Sequence, residues 1–157
     1  MRNLLKKFLC VTLCAMLLCM GLPMYALADT ADDTVKILAI GNSYSNNTTY
    51  FVSRIAESLG KKVTVTSLYD DGCPIDQHVR WYNTDAREYE FYVDSVNISK
   101  PGKNTMKEVF EREDYDYITI QQGPGKAADF STYWTEETPH LTQLYDIIRE
   151  NEPQAEI

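Results

Sequence analysis

The stretch of sequence that decides the fold reads VKILAIGNSYS, residues 35–45. Its apolar first part, rich in β-branched residues, predicts a buried strand, and the change to Gly-Asn-Ser predicts that a helix follows at once. In open α/β sheets, ligands bind at the carboxyl ends of strands, where backbone N–H groups of a following helix can hold an anion. Ser43 is therefore a candidate nucleophile. A second interpretation is that Ser43 or Ser45 only caps the helix, because Ser and Asn are preferred capping residues.

The first 28 residues have the features of an export signal. Three positive charges precede an apolar run over residues 8–20, and Ala-Leu-Ala at residues 26–28 fits a small-x-small cleavage site. The apolar run is too short to span a bilayer comfortably. We expect cleavage after Ala28 and a secreted or extracytoplasmic mature protein over residues 29–157, without stable membrane association. Retention of the signal as an uncleaved anchor is the alternative.

Cysteine content and charge restrict the setting and the partners of the mature protein. Three of the four cysteines precede residue 29, so Cys73 alone remains and cannot form an internal disulfide. An exported protein without a disulfide favours a bacterial wall-side or extracellular setting. Loss of Arg2, Lys6 and Lys7 takes the formal charge from −8 to −11. Such an acidic chain argues against nucleic acid or anionic membrane as partners, and it leaves open a neutral substrate such as a polysaccharide.

Alternating strand and helix patterns after residue 45 predict one α/β domain, since a chain of this length can bury a single core. The predicted elements are a helix over residues 51–59, a strand over 62–68, an edge strand or hairpin near 89–94, a short capped helix after Thr105, a strand over 115–120 and a helix after Pro139. A crossover helix between the first two strands favours a parallel pair. The last helix is predicted to bury Leu141, Leu144, Tyr145 and Ile148.

Polar or glycine residues follow all three of the main predicted strands. Ser43 follows the first strand, Gly72 the second, and Gln121 and Gln122 the third. In a parallel sheet these residues converge on one edge. The set suits acyl transfer, in which a serine attacks a carbonyl and nearby N–H groups stabilise the oxyanion. Each part also has an ordinary explanation, because turns often contain glycine and glutamines after strands are often solvated.

Three blocks of this chain resemble the SGNH (GDSL-type) hydrolase superfamily, most closely its bacterial DUF4886 group. The blocks are IGNSYS at residues 40–45, DGCP at 71–74 with His78 after it, and DYITIQQ at 116–122. The resemblance extends from about residue 35 to the last residue. It implies a three-layer α/β/α, flavodoxin-like fold with a parallel sheet. It also implies esterase or lipase-type chemistry, with relatives that deacylate carbohydrates.

Carried over by this resemblance, Ser43 is the expected nucleophile, and Gly72 with Gln121 or Gln122 supplies the oxyanion donors. Asn42, which stands where the family usually has Asp, and His78 are the expected substrate-binding residues, and for His78 a structural role is the favoured alternative. No metal and no cofactor is expected. The partner implied is a small-molecule or glycan ester.

The main departure from the superfamily pattern concerns the general base. SGNH hydrolases take this base from an Asp-x-x-His block near the carboxyl terminus, and no such block occurs here. Residues 152–157 are typical of the start of a fourth strand, so we expect a chain that is incomplete at this end. His78 and His140 are the available imidazoles, and neither occupies the position of the superfamily's base. A serine without a positioned base is a weak nucleophile.

These observations predict an exported serine esterase that removes O-acyl groups from a carbohydrate and is present as a truncated chain. By itself this chain is expected to be inactive. A non-catalytic carbohydrate-binding relative is one alternative, and an inactive gene fragment is another.

Overall fold

Residues 35–41 form the middle one of three parallel strands in a five-stranded sheet of the computed structural model, which describes residues 33–99 and 103–157. The strands are β1 (Val35–Gly41), β2 (Val63–Tyr69), β3 (Glu90–Val93), β4 (Val96–Asn97) and β5 (Tyr117–Ile120). Their order across the sheet is β4-β3-β2-β1-β5. β2 and β5 lie parallel to β1 on its two sides. The predicted parallel sheet is therefore confirmed for these three strands.

The predicted edge hairpin forms from β3 and β4, which extend the sheet in antiparallel fashion from β2. The turn between them contains Asp94 and Ser95, both with positive φ. Two successive residues in this region fit a tight hairpin turn. The main-chain N–H of Asp94 donates to the carbonyl of Val65, and its carboxylate accepts from the N–H of Val65. The hairpin is thus fixed to β2.

Five helices connect and cover the strands of the described residues. They are α1 (Ser43–Thr49), α2 (Val52–Ser58), α3 (Ile75–Thr84), α4 (Met106–Phe110) and α5 (His140–Asn151), and a 3-10 turn spans Phe130–Thr132. α1 and α2 contact β1 and β2. α3, α4 and α5 supply the apolar side chains that pack with Leu38, Leu68 and Ile118 of the sheet into the core. The observed fold is an α/β fold with a mostly parallel sheet flanked by helices.

Residues Thr34–Ile157 form one compact unit. The predicted export signal, residues 1–28, lies outside the described residues. No helix in the described ranges is long and apolar enough to cross a bilayer.

The predicted helix over residues 51–59 is confirmed as α2 (Val52–Ser58), which follows α1 after a break at Tyr50 and Phe51. The apolar side chains of Phe51, Ile55 and Leu59 are largely exposed rather than buried. Other, less exposed residues of α2 contact the sheet instead. Helical spacing therefore identified the helix but not the face that packs.

α3 is the element that the sequence analysis missed. Ile75, His78 and Val79 are its buried residues, and Tyr82 packs partly buried against the core. This is helical spacing, but His and Tyr at two of the four positions weaken the apolar signal. The capping box predicted at Thr105 is confirmed, since Thr105 and Glu108 exchange side-chain and backbone hydrogen bonds.

The buried face of α5 also differs from the prediction. Leu144 and Ile148 are buried as predicted, but Leu141 and Tyr145 are exposed, and Ile147 is buried in their place. Contact with α3 decides this face, because the side chain of Asn151 donates to the Tyr82 hydroxyl at 2.9 Å.

The last residues of the sequence lie beside the free edge of β5. Glu156 forms a parallel bridge with Tyr117. Its carbonyl accepts from the N–H of Ile118, and its own N–H donates to the carbonyl of Asp116, each at 2.8 Å. The predicted start of a further strand at residues 152–157 is therefore seen as this bridge.

Candidate functional site

Ser43 lies just past the carboxyl end of β1, as the first residue of α1. The side chain is partly exposed, and its hydroxyl makes no hydrogen bond with any described residue. Asn42 is the helix cap, because its Oδ1 accepts from the N–H of Tyr44 at 3.1 Å. The interpretation that Ser43 or Ser45 caps this helix is therefore wrong. The Ser43 hydroxyl has no structural role at the start of α1.

Asn42 connects the ends of all three parallel strands. Its side chain is fully buried, and Nδ2 donates to the carbonyl oxygens of Cys73 and Gln122, each at 3.1 Å. Cys73 follows β2, and Gln122 follows β5. Because Asn42 has no exposed surface, the predicted direct contact with substrate does not fit this structure. Its hydrogen bonds instead fix the three loops relative to Ser43.

The start of α1 lies unusually close to the end of β5. A Cβ atom at Gly41 would lie 2.8 Å from the Cβ atoms of both Ser45 and Gln121. Real Cβ contacts do not reach this distance, so only glycine fits at residue 41. The glycine of the Gly-Asn-Ser block therefore allows Ser45 and Gln121 to pack directly against the main chain at residue 41.

Gly72 occupies an exposed turn at the same edge of the sheet. Its φ is +64°, a conformation that residues with a side chain rarely adopt. The N–H of Cys73 donates to the carbonyl of Asp70 at 3.2 Å and closes the turn. The N–H of Gly72 makes no hydrogen bond within the part of the chain that the structure describes. It is therefore available as an oxyanion donor.

The two glutamines after β5 have different environments. Gln122 is buried, and its Oε1 accepts from the N–H groups of Ile75 and Gly123, each at 2.9 Å. Its Nε2 donates to the carbonyl and to the hydroxyl of Thr132. All four hydrogen-bonding positions of this amide are thus occupied. The side chain of Gln122 therefore has no N–H left for an oxyanion.

Gln121 is the half-buried member of the pair. Its Nε2 makes one hydrogen bond, a long one of 3.3 Å to the carbonyl of Gln122. The amide has a second N–H, which no described residue accepts. Gln121 therefore fits the predicted donor role better than Gln122.

His78 lies in the core instead of lining the site. It is fully buried, with Nδ1 2.8 Å from the Tyr89 hydroxyl and 3.7 Å from Cys73 Sγ. Desolvation lowers the pKa of His78 to about 3 and raises the pKa of the Cys73 thiol far above its ordinary value. Both groups are neutral at physiological pH. The predicted contact of His78 with substrate does not fit this burial, and its position is that of a packing residue.

His140 is the first residue of α5, and its Nδ1 lies 3.3 Å from Gln143 Oε1. Within the described ranges, neither an imidazole nor a carboxylate forms a hydrogen bond with Ser43. Nor does any group of three His, Cys, Asp or Glu side chains there have the arrangement of a metal site. The edge thus offers a hydroxyl and candidate N–H donors, and its described residues supply no base.

Sequence reasoning missed Thr132, which holds the Gln122 amide. It lies at the end of the short 3-10 turn, ten residues further along the chain, where neither periodicity nor a motif points to it. An isolated Thr in a loop gives no signal of its own, and the partner was identified only from the fold.

Comparison with known proteins agrees with this architecture. A solved DUF4886 family protein from Bacteroides uniformis matches with a TM-score of 0.68 and 25% sequence identity. The match covers 78% of this chain and 48% of that one, so this chain spans about half the length of the solved relative. No protein with curated annotation matches the sequence. The profile of DUF4886, a domain of unknown function, matches residues 36–156, which include all the strands and helices described above except the first residue of β1. The chain therefore belongs to the DUF4886 family.

Proposed function

We propose that the carboxyl edge of β1, β2 and β5 is the site of an exported serine esterase of the SGNH hydrolase type. The observation that carries the proposal is the Ser43 hydroxyl, which is partly exposed, free of hydrogen bonds with the described residues and placed at the end of β1, the middle one of the three parallel strands. β1 has β2 on one side and β5 on the other, so the strand order reverses at β1. Ligands of open α/β sheets bind at such a point.

In the proposed reaction, Ser43 Oγ attacks the ester carbonyl, and the alcohol leaves with a proton. Water then hydrolyses the acyl-serine to the carboxylic acid and regenerates the hydroxyl. The N–H groups of Ser43 and Gly72 and the side-chain amide of Gln121 are the proposed donors to the oxyanion. By the resemblance described above, the base is the His of an Asp-x-x-His block. The sequence contains no such block, so we expect this chain alone to have little activity.

The proposed substrate is an ester of a carbohydrate, and exposed aromatic rings near the site support this choice. Phe130 is 74% exposed and Trp134 is 42% exposed. Both lie on the loop after β5, which the bond from Gln122 to Thr132 holds beside the strand ends. Exposed aromatic faces stack on apolar faces of ligands.

The test is hydrolysis of 4-nitrophenyl acetate by a longer form of the chain that carries an Asp-x-x-His segment. Ser43→Ala should abolish nearly all of its activity, because the covalent step is lost. Ser58→Ala is the matched control, since this serine is exposed on α2 and remote from the strand ends. Unchanged hydrolysis in Ser43→Ala would show that Ser43 is not the nucleophile.

The same aromatic residues favour a second candidate function, a carbohydrate-binding module without catalysis. This alternative predicts that the chain binds glycan and that Ser43→Ala changes neither binding nor any residual hydrolysis. Trp134→Ala should weaken glycan binding in both cases. The effect of Ser43→Ala on turnover therefore separates the two functions.

A further inference from the structure

We propose that a second site, at the amino ends of β1 and β2, binds a phosphate-like oxyanion. A cavity of about 400 Å³ lies there, at the opposite end of these parallel strands from Ser43. Its walls come from α2, from the loop before β2 and from the turn between β3 and β4. This volume is within the range of small-molecule pockets.

The charge of the cavity carries the proposal. Arg54, Lys61 and Lys62 all line it. Within residues 33–99 and 103–157, every other lysine or arginine side chain has an ion pair or a hydrogen bond, whereas the side chains of these three have neither. The whole sequence has a net charge of −8, so carboxylates are plentiful. Three unpaired cations at one cavity of an acidic protein favour an anionic ligand.

The side chain of Arg54 lies against two aromatic rings. Its Cζ atom lies 5.9 Å from the ring centre of Tyr50 and 6.0 Å from that of Phe51. The two rings pack edge to face, with centres 4.7 Å apart. Cation–π contacts of this kind restrict a guanidinium without using its N–H donors. Less side-chain freedom is then lost when these donors bind an oxyanion.

The other lining groups limit what the site accepts. Ser53 and Thr64 contribute hydroxyls, and Glu57 and Asp94 contribute carboxylates. One Asp94 oxygen is held by the N–H of Val65 at 3.0 Å. The cavity therefore has three cations against two carboxylates. This balance fits one compact oxyanion and disfavours an extended polyanion.

The chemistry is that of a phosphate group, which a free ion or a lipid headgroup can present. The probes are inorganic phosphate and vesicles of phosphatidylglycerol with phosphatidylcholine. We expect phosphate to shift the backbone NMR signals of residues 53–64 in a saturable manner. Arg54→Gln and Lys61→Gln should each weaken this binding about tenfold, and Glu57→Gln should strengthen it. Lys107→Gln is the matched control, because Lys107 pairs with Asp85 away from the cavity.

The vesicle measurement separates the two sources of phosphate. Cosedimentation that is lost in Arg54→Gln would assign the site to a lipid headgroup, and phosphate binding without cosedimentation would assign it to a soluble ligand. The proposal is overturned if neither probe binds, or if Lys107→Gln weakens binding as much as Arg54→Gln does. All these positions are exposed, so the variants should fold, and circular dichroism checks this.

Discussion

The side-chain nitrogen of Asn42 lies 3.1 Å from the main-chain oxygen of Gln122, although 80 residues separate the two in sequence. This hydrogen bond joins the end of β1 to the end of β5. Together with the matching bond to Cys73, it makes the relative position of three loops depend on one buried amide. The positions of the loops around Ser43 therefore depend on Asn42, whose side chain is fully buried.

Replacing Asn42 should destabilise the fold. Asn42→Ala leaves the Cys73 carbonyl oxygen without a donor and the Gln122 carbonyl oxygen with only the long bond from Gln121, which costs about 1–3 kcal/mol of unfolding free energy. Asn42→Asp should cost more at neutral pH, because a carboxylate oxygen then faces those carbonyls. Urea unfolding measures both effects, with Asn47→Asp as the control because Asn47 is exposed on the same helix. Equal free energies for the two Asp variants would contradict the inferred role.

The two glutamines after β5 should respond differently to substitution. Gln122→Ala removes the partners of two N–H groups and frees Thr132, so it should lower the free energy of unfolding by about 1–3 kcal/mol. Gln121→Ala should leave stability nearly unchanged. In the longer, active form, Gln121→Ala should lower kcat by about 100-fold to 1,000-fold. Denaturant unfolding and turnover measured on both variants test this division, and a reversed pattern would refute it.

Burial of His78 should make the protein sensitive to acid. Its pKa of about 3 in the folded state lies below the ordinary value of 6.5. Unfolded chains take up a proton here as the pH falls below 6.5, and the folded protein does not, so stability decreases from pH 6.5 towards pH 3.

His78→Gln should flatten this part of the stability profile, because the titrating group is gone. The measurement is urea unfolding at several pH values, with His140→Gln as the control outside the core. An unchanged slope in His78→Gln would show that other groups cause the acid sensitivity.

The mature protein is predicted to begin at Asp29. Small residues at 26 and 28, after a short apolar run, are typical of a signal peptidase site. Mass spectrometry of protein recovered outside the cytoplasm of a bacterial host measures the terminus directly. Ala28→Arg should block processing, and material that still begins at Met1 without this substitution would disprove the assignment.

Much of the fold could be predicted because its signals are local. β1, β2 and β5 are runs of β-branched and apolar residues, and the capping box at Thr105 is a four-residue pattern. α3 was missed because two of its core-facing residues are His78 and Tyr82. Their rings carry polar atoms, which weakens the apolar periodicity that indicates a helix. The buried face of α5 was assigned wrongly because two overlapping apolar stripes share Leu144, and only contact with α3 decides between them.

Only the part of the candidate site that follows from the parallel arrangement of the strands could be predicted from the sequence. Parallel strands bring Ser43, Gly72 and the glutamines to one edge, and the sequence indicates this. The roles of Asn42 and Gln122 depend on distances to main-chain atoms far away in sequence, which no periodicity records. Sequence alone therefore favours surface contact for residues that the structure buries.

The Asn42 side chain donates hydrogen bonds to main-chain carbonyl oxygens, which every residue type has. The side chains of the loops after β2 and β5 can consequently be exchanged during evolution without loss of these two hydrogen bonds. The loop side chains around the site can therefore differ between members of the family while these two hydrogen bonds are kept. Such differences can change which ligand the site binds.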